Sequence, residues 1–164
     1  MFVPFSSLPG SSRIWVYQAS RTLTATEEQG ISNALKSFCE QWSAHGQPLK
    51  SSFKIAYRYF IILCADENFQ SASGCSIDGS VRILKHVQEE SGIDFFDRRQ
   101  VAILSGGEVQ SYPQKSIKEM LSLGKLQPDD ITFNNLIEKK GDLDDQWIVP
   151  LNKSWLAKLV NVTV

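Results

Sequence analysis

An α+β fold is predicted by three features of the chain. Strand-like apolar patterning occurs at Arg13 to Gln18, Ser52 to Ala65 and Gln100 to Leu104. Between these segments, apolar residues fall at helical spacing from Ile31 to Trp42 and again from Ile77 to Val87. The resulting order is strand, helix, strand, strand, helix, strand. That is the split β-α-β order of a ferredoxin-like βαββαβ sandwich, with both helices on one sheet face.

Each element has a local reason. Residues 1–12 are rich in Ser, Pro and Gly and read as an irregular arm. In Arg13 to Gln18, Ile14 and Val16 alternate with Trp15 and Tyr17. Thr24 with Glu27, or Thr26 with Gln29, fits a capping box that opens the first helix. Ile31, Ala34, Leu35, Phe38, Cys39 and Trp42 form its stripe, and Gly46 is expected to end it with His45 as a C-terminal cap.

Ser52 to Ala65 is long for one strand, so a tight turn near Tyr57-Arg58-Tyr59 is expected to split it in two. The second helix should start near Ser76 or Asp78 and stop at Gly92. Gly106-Gly107 between two short apolar runs signals a hairpin. Beyond it, a helix over Lys115 to Leu123, a strand at Ile131-Thr132-Phe133, a strand at Trp147-Ile148-Val149 and a terminal helical turn form C-terminal additions. These additions are expected to cover a sheet edge or the second sheet face.

A chain of 164 residues fits one domain, 1–164, with a core of about 13–112 and an extension of about 113–164. Apolar residues at 42% and charged residues at 21% exclude a disordered chain and a fibre. Seventeen Lys and Arg against 18 Asp and Glu leave a net charge of −1, which argues against nucleic acid as partner. The longest apolar run, Phe60 to Ala65, is too short for a membrane span, and Met1 to Phe5 lacks the pattern of a signal peptide. Three spaced cysteines, Cys39, Cys64 and Cys75, suggest reduced thiols in the cytoplasm.

No metal and no cofactor is expected. His86 with Glu89 and Glu90 reads as a solvated helix face, and Asp142, Asp144 and Asp145 as a polar loop. Trp147 and Trp155 pack the C-terminal arm or form a partner-binding patch. Phe95-Phe96 lies beside Arg98-Arg99, a pair that could meet an acidic partner.

The candidate ligand site is the expected start of the second helix: Gly74, Cys75, Ser76, Asp78, Gly79 and Ser80. Free N–H groups at a helix start stabilise an anion, whether a Cys75 thiolate or a bound phosphate or carboxylate. The plainer reading makes Cys75 a small packed residue, with Ser76 or Asp78 as N-cap. His45 is not expected to reach Cys75, because the two sit at opposite ends of neighbouring helices.

The strings Arg13-Ile14-Trp15-Val16-Tyr17-Gln18, Trp42-Ser43-Ala44-His45-Gly46, Ser73-Gly74-Cys75-Ser76-Ile77-Asp78, Phe133-Asn134-Asn135-Leu136 and Pro150-Leu151-Asn152-Lys153-Ser154-Trp155 give the chain a resemblance. It resembles a family of small Bacteroidetes proteins whose members often carry the label ABC transporter ATPase. The resemblance implies a bacterial cytoplasmic protein and no particular chemistry. A Walker A loop needs Gly-x4-Gly-Lys-Ser/Thr. Gly74 to Ser80 has the glycine spacing and a Ser but no Lys, and Asp78 adds negative charge. ATPase activity of that class is therefore not expected.

Two functions follow as expectations. The first is a non-catalytic binding or interaction protein, with an unidentified protein partner, a homodimer among the possibilities. The second is a small-anion binder or enzyme using the turn from Gly74 to Ser80.

Overall fold

The structure, a computed structural model, describes residues 1–68 and 74–163, and the side chains of residues 1–68 and 77–161. The protein is mixed α+β, with antiparallel sheets. Strand β1 (Arg13–Gln18) leads to helix α1 (Ala25–Gln41). The capping box forms at Thr24. Its Oγ1 accepts the Glu27 N–H at 3.2 Å, and its own N–H donates to Glu27 Oε2 at 2.8 Å. Arg21 grips the same carboxylate at 2.8 and 2.9 Å and, with the cap, holds its pKa down at about 2.

Helix α1 ends earlier than its periodicity suggests. Trp42 is extended, and Ser43–Ala44 (β2) pairs with Gln47–Pro48 (β3). His45 and Gly46, with φ of 50° and 76°, form the hairpin turn between them. The expected helix stop at Gly46 and the His45 cap are thus corrected. Two consecutive left-handed residues make a primed turn, whose twist suits a hairpin. The Trp42 ring, 4.9 Å from Phe38 and 5.5 Å from Trp15, anchors the chain as it leaves the helix.

Strands β4 (Ser51–Ala56) and β5 (Phe60–Ala65) form the second hairpin. Its turn falls at Tyr57 and Arg58, both left-handed, closed by the Tyr59 N–H on the Ala56 carbonyl at 3.0 Å. All of β5 is buried, as befits the centre of the sheet β1-β5-β4. The N-terminal arm docks beside β4: the Met1 ammonium donates to the Cys39 and Leu49 carbonyls, and Val3 N–H donates to Ser51.

Helix α2 (Gly74–Ser91) ends at Gly92, which is left-handed at φ 71°. Strands β6 (Gln100–Ser105) and β7 (Glu108–Pro113) turn at Gly106-Gly107. Helix α3 (Gln114–Ser122), strands β8 (Ile131–Phe133) and β9 (Ile148–Pro150) and helix α4 (Ala157–Thr163) follow.

The sequence order suggests that β6 lies beside β1. Instead β6 belongs to a second sheet, β7-β6-β8-β9. Both edges that would meet are partly engaged elsewhere. Ile14 N–H on β1 donates to the Glu138 carbonyl at 2.9 Å, and Arg13 bridges Lys139. On β6, Ile103 and Leu104 pair with Thr132 and Ile131 of β8.

The C-terminal additions also supply core. Phe60 on β5 lies 4.4 Å from Phe133 on β8 and 5.2 Å from Trp147, between ring centres. These rings fuse the two sheets into one apolar core, which also takes in Leu35 and Leu84 of the first two helices. A second cluster joins Val101 and Ile103 of β6 to Ile117 of α3 and Leu156 and Val160 at α4.

Candidate functional site

The interrupted pairing of β1 and β6 leaves a cleft of about 360 Å³. Its backbone edge follows from strand register. Ile14 points its N–H away from β5, so Val16 and Gln18, two and four residues on, turn theirs to the same side. Beyond Ile14 no strand covers that edge among the described residues. Val16 and Gln18 both line the cleft.

One side-chain relay spans the opening. Gln18 Nε2 donates to the Gln100 carbonyl of β6 at 3.3 Å. Its Oε1 accepts from Asn135 Nδ2 at 3.1 Å, and Asn135 Oδ1 accepts the Trp147 indole N–H at 3.1 Å. Both ends of the Gln18 amide are therefore fixed, and the relay ties the cleft floor to the aromatic core. On the β6 side, the Ala102 carbonyl accepts the Thr132 hydroxyl at 2.7 Å.

The walls are aromatic. Tyr17 meets Phe96 edge to face at 5.9 Å, and Phe133 closes the interior. At the rim, Leu136 is 79% exposed and Trp155 49% exposed, while Arg98 is also open to solvent. Burial pushes the Tyr17 phenol above its ordinary pKa of 10, opposed by its hydrogen bond to Ser80 and by the charge of Arg98.

The segment singled out by sequence lies next to this cleft. Gly74, Cys75, Ser76, Asp78, Gly79 and Ser80 all belong to the first turns of α2. The side chains of Cys75 and Ser76, and with them the question of a reactive thiol, lie outside the described residues. Asp78 is exposed, and Gly79 faces the Phe38 ring at 3.9 Å from where a Cβ would stand. Ser80 is buried and donates to the Ile77 carbonyl at 2.6 Å, its oxygen 3.5 Å from Tyr17 Oη. Because 74–80 are helical throughout, the glycine spacing produces no extended loop of converging N–H groups.

Other candidates resolve into structural roles. His86 forms an i,i+4 pair with Glu90 at 3.4 Å on an exposed face. Asp142 accepts from Gln146. Among the described residues no cluster of His, Cys, Asp and Glu is placed to hold a metal. Trp147 is 5% exposed and packs, whereas Trp155 stands at the cleft rim. Cys39 and Cys64 are free, and burial raises their thiol pKa to about 11 and about 12.

Gln18, Asn134, Asn135 and Arg98 were not legible in the sequence as one site. Segments distant in the chain converge here, with residues of 16–18, 133–136 and Trp155 all lining the cleft.

Fold and site define an α+β protein with an aromatic cleft between two sheets. No family model, no curated protein and no solved structure matches the chain. No helix among the described residues is long and apolar enough to cross a membrane.

Proposed function

We propose that this is a non-catalytic binding protein whose site is the cleft between β1 and β6. The observation that carries this reading is the coincidence of an unpaired strand edge with an enclosed aromatic wall. Its volume of about 360 Å³ sits within the roughly 300–1,000 Å³ of small-molecule sites. Apolar walls with a few fixed polar groups are what such sites use to hold and orient a ligand.

The fold reading that accompanies this proposal is a ferredoxin-like βαββαβ arrangement opened between its first and fourth strands. The order β1-β5-β4 supports it, since three of the expected four strands lie in sequence as that fold requires. The cytoplasmic placement belongs to the same proposal, and the free thiols of Cys39 and Cys64 suit a reducing compartment.

A second reading keeps the anion site at the start of α2. The Tyr17–Ser80 contact sets the second turn of that helix beside the same cleft.

A thermal-shift screen of nucleotides, sugar acids, acyl acids, amino acids and metals, followed by amide-resolved NMR titration of the hits, tests the proposal. A ligand at about 100 times its Kd adds about 2.7 kcal/mol of stability. Hits should move the Val16 and Gln18 amides and the Trp155 indole. A flat screen, or hits that move only residues distant from the cleft, would overturn it.

A further inference from the structure

Resting on the cleft as binding site, we infer that its ligand is a small organic acid: a compact apolar or aromatic body bearing one carboxylate, held by Arg98. Two ionisable side chains line the cleft with opposite charges, Asp97 and Arg98. They do not pair with each other. Asp97 is saturated by its other neighbour: Oδ1 accepts the Arg99 N–H at 3.0 Å and Arg99 Nε at 2.9 Å, and Oδ2 accepts Arg99 Nη2 and Gln100 Nε2 at 3.4 Å. The Asp97–Arg99 pair is thereby neutral and turned inward on itself.

Arg98 has no ion-pair or hydrogen-bond partner among the described residues, yet its charge is felt at the Tyr17 phenol inside the cleft. The cleft therefore carries one uncompensated positive charge at its rim. A guanidinium presents a planar fork that matches a carboxylate in bidentate fashion.

The remaining groups fit the rest of such a ligand. Tyr17, Phe96, Phe133 and Trp155 offer aromatic surface for the body. The outward backbone N–H and C=O groups of Val16 and Gln18 offer one donor and one acceptor each for a polar substituent. That edge is also what argues against an extended peptide. Between the Ile14 contact with Glu138 and the end of β1 at Gln18, only Val16 and Gln18 turn backbone groups outward. Two outward-facing residues give an added strand few ladder hydrogen bonds with which to hold a peptide in register.

The test uses the full chain, isotope-labelled, with three probes that share a phenyl body and differ in head group: phenylacetate, its isosteric amide phenylacetamide, and the cationic phenethylamine. Phenylacetate should move the Val16 and Gln18 amides and the Trp155 indole, with a Kd about tenfold below that of phenylacetamide. Arg98→Gln should erase that difference, chiefly by weakening phenylacetate; Arg98 is exposed, so the variant's thermal midpoint should match the parent. Equal binding of all three probes, preference for the amine, or an extended peptide binding along β1 would overturn the acid assignment while leaving the cleft as a site. If these probes and the wider screen all leave the cleft signals unmoved, the cleft reading falls with it.

Discussion

Tyr17 Oη lies 3.5 Å from Ser80 Oγ, so the strand that lines the cleft touches the helix that the sequence singled out. Ser80 is the better-bonded partner, since it also donates to the Ile77 carbonyl at 2.6 Å. The contact joins two sites that are separated by more than sixty residues.

This contact makes the Tyr17 phenol an electrometer for the cleft. Burial raises its pKa; Ser80 and Arg98 each lower it. Ser80→Ala and Arg98→Gln should therefore both move the phenol titration to higher pH, read by ultraviolet absorbance of the phenolate. A fall with either variant would contradict the placement of that side chain. Ser80→Ala should cost about 1 kcal/mol of stability, the net value of an ordinary hydrogen bond.

The aromatic cluster holds the two sheets together. Phe133 is 3% exposed and packs between Phe60, Tyr57 and Trp147. Phe133→Ala should cost about 3–5 kcal/mol in urea unfolding, the usual toll of emptying a buried aromatic position. It should also weaken any ligand that binds the cleft, because Phe133 is part of its wall. Phe133→Leu should recover most of the stability.

Arg58 occupies a left-handed position, φ 52°, in the β4–β5 turn. A side chain there is strained, and glycine at the second central position is the preferred residue of a primed turn. Its ion pair with Glu28, at 3.5 Å and half exposed, is worth little in return. Arg58→Gly should stabilise the protein by about 0.5–1 kcal/mol. A lower thermal midpoint would show that the ion pair outweighs the strain.

The buried thiols set an alkaline limit. Burial lifts Cys64 from 9.0 to about 12 and Cys39 from 9.0 to about 11. The folded state thus keeps protons that the unfolded chain releases. Stability is intact below about pH 9 and falls as pH rises toward 11, by about 1.4 kcal/mol per pH unit for each thiol in that window. Cys64→Ala should flatten the decline, measured as urea midpoint against pH. Neither thiol should react with an aromatic disulfide reagent in the native protein at neutral pH.

Local patterning was decisive for the elements. The capping box at Thr24, the turn at Tyr57-Arg58, the Gly106-Gly107 hairpin and the stop at Gly92 all stand where short-range chemistry puts them. These features depend on a few neighbouring residues, so a single sequence displays them. His45-Gly46 shows the limit of that reasoning. The same glycine that could end a helix turns a hairpin instead, because Trp42 is drawn onto Trp15 and Phe38.

The sequence by itself determined the α+β class, the run of strands and helices, and a nearly neutral surface charge. Only the tertiary structure decided that β6 leaves β1 for a second sheet, and so that a cleft exists at all. Strand pairing is a competition among edges distant in the chain, and β8 and residues 138–140 win it here. The charge balance of the cleft was hidden for the same reason. Asp97, Arg98 and Arg99 read as one mixed cluster in sequence, until folding ties Asp97 to Arg99 and leaves Arg98 facing the opening.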